Sequence, residues 1–153
     1  HVAGATGKTS ESAVRALHGL DEQALLEMGD FAGALLKYLR RHPLARLTIA
    51  GGFAKISKLA QGHMDLHSGR SEVDIAALAR HLSALGAAPE LVSQARTAAS
   101  AGAVLALAGE LPLAQRVAAQ ALGIIQDKLH GADIAVDVTI FDRAGKLIGH
   151  AKP

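Results

Sequence analysis

Cysteine is absent from the 153 residues, and aromatic side chains make up only 3% of them. Without thiols there is no disulfide framework, no thiolate metal site and no cysteine nucleophile. That composition fits a cytoplasmic protein. With so few aromatics, the core has to be aliphatic and alanine-rich. Half of the residues are hydrophobic, enough to fill one domain. No apolar run approaches the roughly 20 residues needed to cross a bilayer, and no basic leader followed by an apolar run opens the chain. A membrane is therefore not expected as a partner. The first residue is His1 rather than methionine, so the chain reads as a piece of something longer. No repeat, low-complexity tract or long linker divides it, and residues 1–153 are expected to form a single α/β domain.

The formal net charge is only +2, but it is unevenly spread. Lys37, Arg40, Arg41, Arg46, Lys55, Lys58 and Arg70 share a window with a single acid, Asp65. That window carries +6 and leaves −4 for the rest. A local basic excess attracts anions. Nucleic acid is not the expected anion, because only Tyr38 and Phe53 are present for stacking and no nucleic-acid motif appears. A solvated basic face without a ligand is the plainer alternative.

Periodicity outlines the elements. Val2–Ala3 reads as the end of a strand running into a glycine turn, with Ser10 as N-cap of a helix over Glu11–Leu17. A helical turn is expected over Glu22–Met28. Phe31, Leu35 and Leu39 predict a helix over Asp30–Arg41 capped by Asp30, ended by His42-Pro43. Arg46–Ala50 is a strand, Phe53–Gln61 a helix and His63–Arg70 a loop. The second half is mostly helical. One stripe runs from Ile75 to Leu85, Pro89 opens another helix, interrupted near Gly102, and Pro112 starts the longest. Ile134, Val136, Val138 and Ile140 alternate as a strand with Asp137 and Thr139 on its other face, and Asp142–Gly145 turns it into a closing strand over Lys146–Ala151. About four strands among many helices predict a mostly parallel, Rossmann-like three-layer sheet with a C-terminal hairpin.

Four segments could carry chemistry. Gly4-Ala5-Thr6-Gly7-Lys8-Thr9-Ser10 looks like a P-loop, but Val2 stands where the first glycine is required. What remains is a strand-to-helix turn that either presents N–H groups to an anion or is a tight turn with two glycines at positive φ. Gly51-Gly52 ends a strand and starts a helix on which Lys55 and Lys58 are three apart and share a face. Ligands of open α/β sheets bind at such strand ends. In Gly62-His63-Met64-Asp65-Leu66-His67-Ser68, two histidines four apart could hold a metal on a helix. The segment reads as a loop without a third ligand, so no metal is expected and a proton-transfer role suits it better. Gly29-Asp30-Phe31-Ala32-Gly33 is explained by a cap, except that Gly33 inside a helix costs about 1 kcal/mol against alanine and so points to close packing or close ligand approach.

Gly29-Asp30-Phe31-x-Gly33, a strand into Gly51, Lys55-x-x-Lys58, Gly62 and Leu66-His67-Ser68, with the closing segment Val136–Gly149, together resemble the CbiD family. The resemblance covers nearly the whole chain. The chain departs from the family at Gly52, where a histidine is common, and at Ala54, where a glycine is. Leu66 stands where many members have threonine. The resemblance implies the C-terminal domain of a longer enzyme that transfers a methyl group from S-adenosyl-L-methionine to carbon 1 of cobalt-precorrin-5B in anaerobic cobalamin biosynthesis. The implied partners are an anionic tetrapyrrole and the N-terminal domain of the same protein, and a homo-oligomer is compatible with it. His67 is then the expected proton-transfer or orienting residue. Gly4, Gly7, Gly29, Asp30, Gly51, Gly52, Lys55, Lys58, Gly62 and Ser68 are the expected substrate- or cofactor-binding set. The alternatives are a nucleotide- or phosphate-binding α/β domain and a non-catalytic interaction domain.

Overall fold

The computed structural model describes residues 1–153. Five strands form one sheet in the order β2-β1-β3-β4-β5. They are β1 (Val2–Ala5), β2 (Leu25–Glu27), β3 (Arg46–Gly52), β4 (Ala135–Phe141) and β5 (Leu147–Ala151). The first four are parallel, and β5 pairs antiparallel to β4 with an irregularity at Ile140/Phe141. The helices are α1 (Lys8–His18), α2 (Ala32–Arg41), α3 (Phe53–Ala60), α4 (Ile75–Ala84), α5 (Pro89–Arg96), α6 (Ala101–Ala108) and α7 (Leu113–Lys128). The expected α/β class and C-terminal hairpin are both present.

Parallel crossovers are right-handed, and this handedness divides the helices. The chain leaves β1 for β2 in one direction, then returns past β1 to β3 and on to β4. Reversing direction puts α1 alone on one face and α2, α3 and α7 on the other. The cores follow suit. The crowded face shares a cluster of 31 buried residues, including Leu36, Leu47, Ile56, Val117 and Ile140. Beneath α1 lies a cluster of five: Ala3, Ala5, Val14, Ala50 and Phe141. Because both faces are covered, β3 and β4 are buried on consecutive residues. Asp137 and Thr139 are thus as buried as their apolar neighbours.

Several boundaries differ from those expected. The segment Glu22–Met28 is only a 3-10 turn at Glu22–Ala24 followed by strand β2, which pairs with β1. Three residues are too few to show a period. Helix α1 starts at Lys8 with Gly7 at its cap, and Ser10 lies inside the first turn donating its Oγ to the Gly7 carbonyl. Asp30 is not the cap of α2. Phe31 holds that position without a side-chain bond, because the Asp30 carboxylate is drawn to Lys55. Gly33 is a packing glycine. A Cβ there would sit 2.8 Å from Met64 Cβ, and Gly33 N donates to the Met64 carbonyl. Residues 97–100 interrupt the helix opened by Pro89, and Gly102 falls inside the next one.

Helices α4 and α7 meet at a polar contact. Arg116 Nε donates to His81 Nδ1 at 3.0 Å. Burial, with Arg116 and Arg80 nearby, holds the His81 imidazole below its ordinary value of 6.5. Its folded pKa therefore lies below the unfolded one, and the unfolded state binds more protons in between. The contribution is fully present above about pH 6.5 and is lost as pH falls through the folded pKa. The melting temperature of His81→Gln is expected to fall less steeply than wild type between pH 7.5 and 5.5, as followed by circular dichroism.

Candidate functional site

The reversal of chain direction between β1 and β3 creates the site. At their carboxyl ends α1 turns to one face and α3 to the other, leaving a crevice between them, which is where open α/β sheets bind ligands. The crevice here has a volume of about 580 Å³, within the range of small-molecule sites. The Thr6–Ser10 turn, the Gly52–Lys55 turn, the start of α6 and the β4–β5 turn at Asp142-Arg143 enclose it. Phe53, Leu105, Phe141 and Ile148 supply apolar wall.

Three helix N-termini border this space: α1, α3 and α6. Ser100 caps α6, its Oγ accepting from Ala103 N. Neither α1 nor α3 has a side-chain cap. Their first N–H groups lack intrahelical acceptors and, with the aligned peptide dipoles, form a surface for an anion or carboxylate. The glycines beginning these helices leave room for one. A Cβ at Gly7 or Gly52 would meet no atom within 4 Å, and neither residue has positive φ.

The other expected glycines serve the fold. A Cβ at Gly4 would stand 2.7 Å from Leu35 Cδ2, and one at Gly51 2.8 Å from Thr6 Oγ1 and 2.9 Å from Ile56 Cδ1. Both sites are filled by protein. Gly29 (φ 54°) and Gly62 (φ 90°) have open space but occupy the left-handed region that favours glycine. They turn the chain out of β2 and α3.

The two lysines, expected side by side, are separated by their environments. Lys55 reaches the crevice wall, where its Nζ lies 2.6 Å from Asp30 Oδ1 and donates to the Thr6 carbonyl at 3.2 Å. The Asp30 contact is short but lacks hydrogen-bond angles, so it acts as an ion pair. Lys58 is buried and donates to the Leu66 carbonyl at 3.0 Å. It ties the 61–71 loop to α3 and lies away from the crevice lining. Leu66 N in turn donates to the Asp30 carbonyl, so the loop is fastened beside the Asp30–Lys55 pair. His67 and Ser68 are exposed on that loop and do not line the crevice. His67 Nδ1 accepts from Gly69 N. Of the seven cations in the basic window, only Lys55 faces the crevice.

The crevice cations without an ion pair are Lys8 and Arg143. Neither stands out in the sequence: Lys8 follows a glycine turn whose spacing fails the P-loop, and Arg143 sits in the turn after β4, where only the parallel pairing of β4 with β3 puts it at the carboxyl end of a strand.

Fold and crevice together define a doubly wound α/β domain with a switch-point crevice bordered by helix N-termini. The C-terminal domain of CbiD matches residues 65–152, and the chain belongs to the CbiD family. It is 53% identical over 151 residues to the cobalt-precorrin-5B C(1)-methyltransferase of Paramagnetospirillum magneticum, covering 99% of this chain and 42% of that protein. The enzyme of the same name from Methylorubrum extorquens is 53% identical over 150 residues, with 97% and 42% covered. That of Halorhodospira halophila is 49% identical over 154, with 99% and 41% covered. The chain thus spans about two fifths of the length of these relatives. No solved structure matches it.

Proposed function

We propose that the chain is the C-terminal part of a cobalt-precorrin-5B C(1)-methyltransferase and that its switch-point crevice receives S-adenosyl-L-methionine. The observation that carries this reading is the pair of uncapped helix N-termini bordering the crevice, in a family whose relatives bear that enzyme's name. A methionine carboxylate suits the free N–H groups of α1 or α3, and Phe53, Leu105 and Ile148 offer apolar surface to an adenosine ring. When bound, the sulfonium supplies the methyl group.

The protein's own task is alignment, because methyl transfer from a sulfonium is an in-line displacement that gains most from fixed geometry. The Asp30–Lys55 pair, braced on the Thr6 carbonyl, holds the two crevice turns in register. Lys8 and Arg143 meet acidic substituents of the tetrapyrrole. His67 and Ser68, exposed on the loop fastened beside Asp30, contact the acceptor rather than the donor. The remainder of the enzyme, an N-terminal domain, closes over the macrocycle.

The test uses the open space at Gly52. Gly52→Leu adds a side chain where no protein atom lies within 4 Å and where the backbone is extended. Its melting temperature is expected to match wild type, while calorimetric titration with S-adenosylhomocysteine shows at least about tenfold weaker binding, roughly 1.4 kcal/mol. Unchanged binding in the folded variant would remove the donor from this crevice. Parallel titrations with nucleotides test the phosphate-binding alternative.

A further inference from the structure

The opposite end of the sheet holds a cluster that the crevice chemistry does not use. Asp137 lies on β4 and is 1% exposed. Around its carboxylate gather His1, just before β1, His18 at the last turn of α1, and His150 on β5. They converge where α1 ends, over the N-terminal halves of β1, β3 and β4. The ligand atoms of His1, His18 and Asp137 all lie within 4.8 Å of one another.

The distances have the scale of a coordination shell. Zinc bound at about 2.0–2.1 Å places tetrahedral ligands about 3.3 Å apart. His18 Nε2 is 3.5 Å and His150 Nε2 3.2 Å from Asp137 Oδ2. His1 Nε2 lies 2.8 Å from Thr48 Oγ1, which is itself 3.5 Å from His18 Nε2. The other carboxylate oxygen is occupied differently. Thr48 Oγ1 donates to Asp137 Oδ1 at 2.9 Å and Arg46 Nε at 3.3 Å. Hydrogen bonds to the non-coordinating oxygen are the outer-shell support that metal-binding carboxylates receive. Arg46 is the one group that opposes a dication, but it contacts Oδ1 and its side chain is 45% exposed, so it can turn to solvent.

We propose that His1, His18 and Asp137 bind a divalent transition ion of the zinc type, with His150, 3.2 Å from the same carboxylate oxygen as His18, as the fourth ligand, linking the start of β1, the end of α1, β4 and β5. Three imidazoles and one carboxylate, without thiolate, select borderline ions over calcium or magnesium. The site is separate from the crevice, and the proposal is independent of the methyltransferase reading.

The experiment titrates cobalt(II) into the chelator-treated chain carrying no affinity tag. One equivalent is expected to give visible absorption of tetrahedral intensity, bleached by zinc, and zinc alone is expected to raise the melting temperature. His18→Gln and His150→Gln are each expected to weaken binding at least about tenfold, whereas His130→Gln, outside the cluster, leaves it unchanged. Both tested histidines are partly exposed, with side chains at 14% and 29%, so glutamine is accommodated. Absence of binding to the wild type at submillimolar metal, or full affinity in either variant, overturns the site.

Discussion

Replacing Gly149 by alanine is expected to destabilise the domain by about 3 kcal/mol, the upper range for overpacking. The residue lies in β5, packed directly against the backbone of α7. A Cβ there would stand 2.6 Å from the Ala114 carbonyl oxygen, 2.7 Å from its carbon and 3.1 Å from Gln115 N. All three are backbone atoms, so no rotamer change can make room. The helix would have to lift from the strand, and with it Gln115. That side chain accepts from His150 N and donates to the His150 carbonyl, covering the open edge of β5. The expected result is a melting temperature lower by about 10 °C for a domain of this size, with valine yielding little folded protein. Gly123 in the middle of α7 is the control. Its added Cβ meets nothing within 4 Å, so Gly123→Ala is expected to stabilise by about 0.5–1 kcal/mol through helix propensity. Equal effects at the two glycines would contradict this account of the α7–β5 contact.

Asp137→Ala is expected to cost about 3 kcal/mol in metal-free buffer, measured by urea denaturation. The carboxylate accepts from Thr48 and Arg46 on one oxygen and faces His18 and His150 on the other. Its removal leaves buried donors without an acceptor, at about 1–3 kcal/mol for each one that water cannot reach. Arg46 and His150 are exposed enough to rehydrate, so Thr48 and His18 carry most of the loss. Asp137→Asn keeps one acceptor oxygen and is expected to lose about half as much. Burial already holds the His18 imidazole below its ordinary value of 6.5, against an upward pull from Asp137. Removing the carboxylate therefore lowers it further, a direction that NMR titration can check. A stability loss below about 1 kcal/mol for the alanine variant would show that the cluster is solvated rather than structural.

Much of the architecture was legible because it rests on local rules. Alternation in Val136–Ile140, the helical stripe from Leu113 to Ile125 and the Asp142–Gly145 turn each state their element within a few residues. Strand β2 did not, since three residues joined only by pairing to β1 carry no period of their own. The crevice was half legible. The glycine turns at Gly7 and Gly52 and the lysine at 55 could be placed at strand ends. Lys58 could not be separated from Lys55, because three-residue spacing brings two side chains to one helix face but does not say which of them meets a loop.

By itself the sequence determined the class of fold and most of its helices, strands and turns, which follow from residue type and spacing, and its motifs resemble one family. Tertiary structure alone decided which glycines are packed and which are open, why Asp137 is buried, and that Lys8 and Arg143 share a wall with Gly52. These contacts span tens of residues or more, and the shared wall of Lys8 and Arg143 depends on the reversal of chain direction between β1 and β3, which brings together residues more than 100 positions apart. No local pattern encodes a contact of that range.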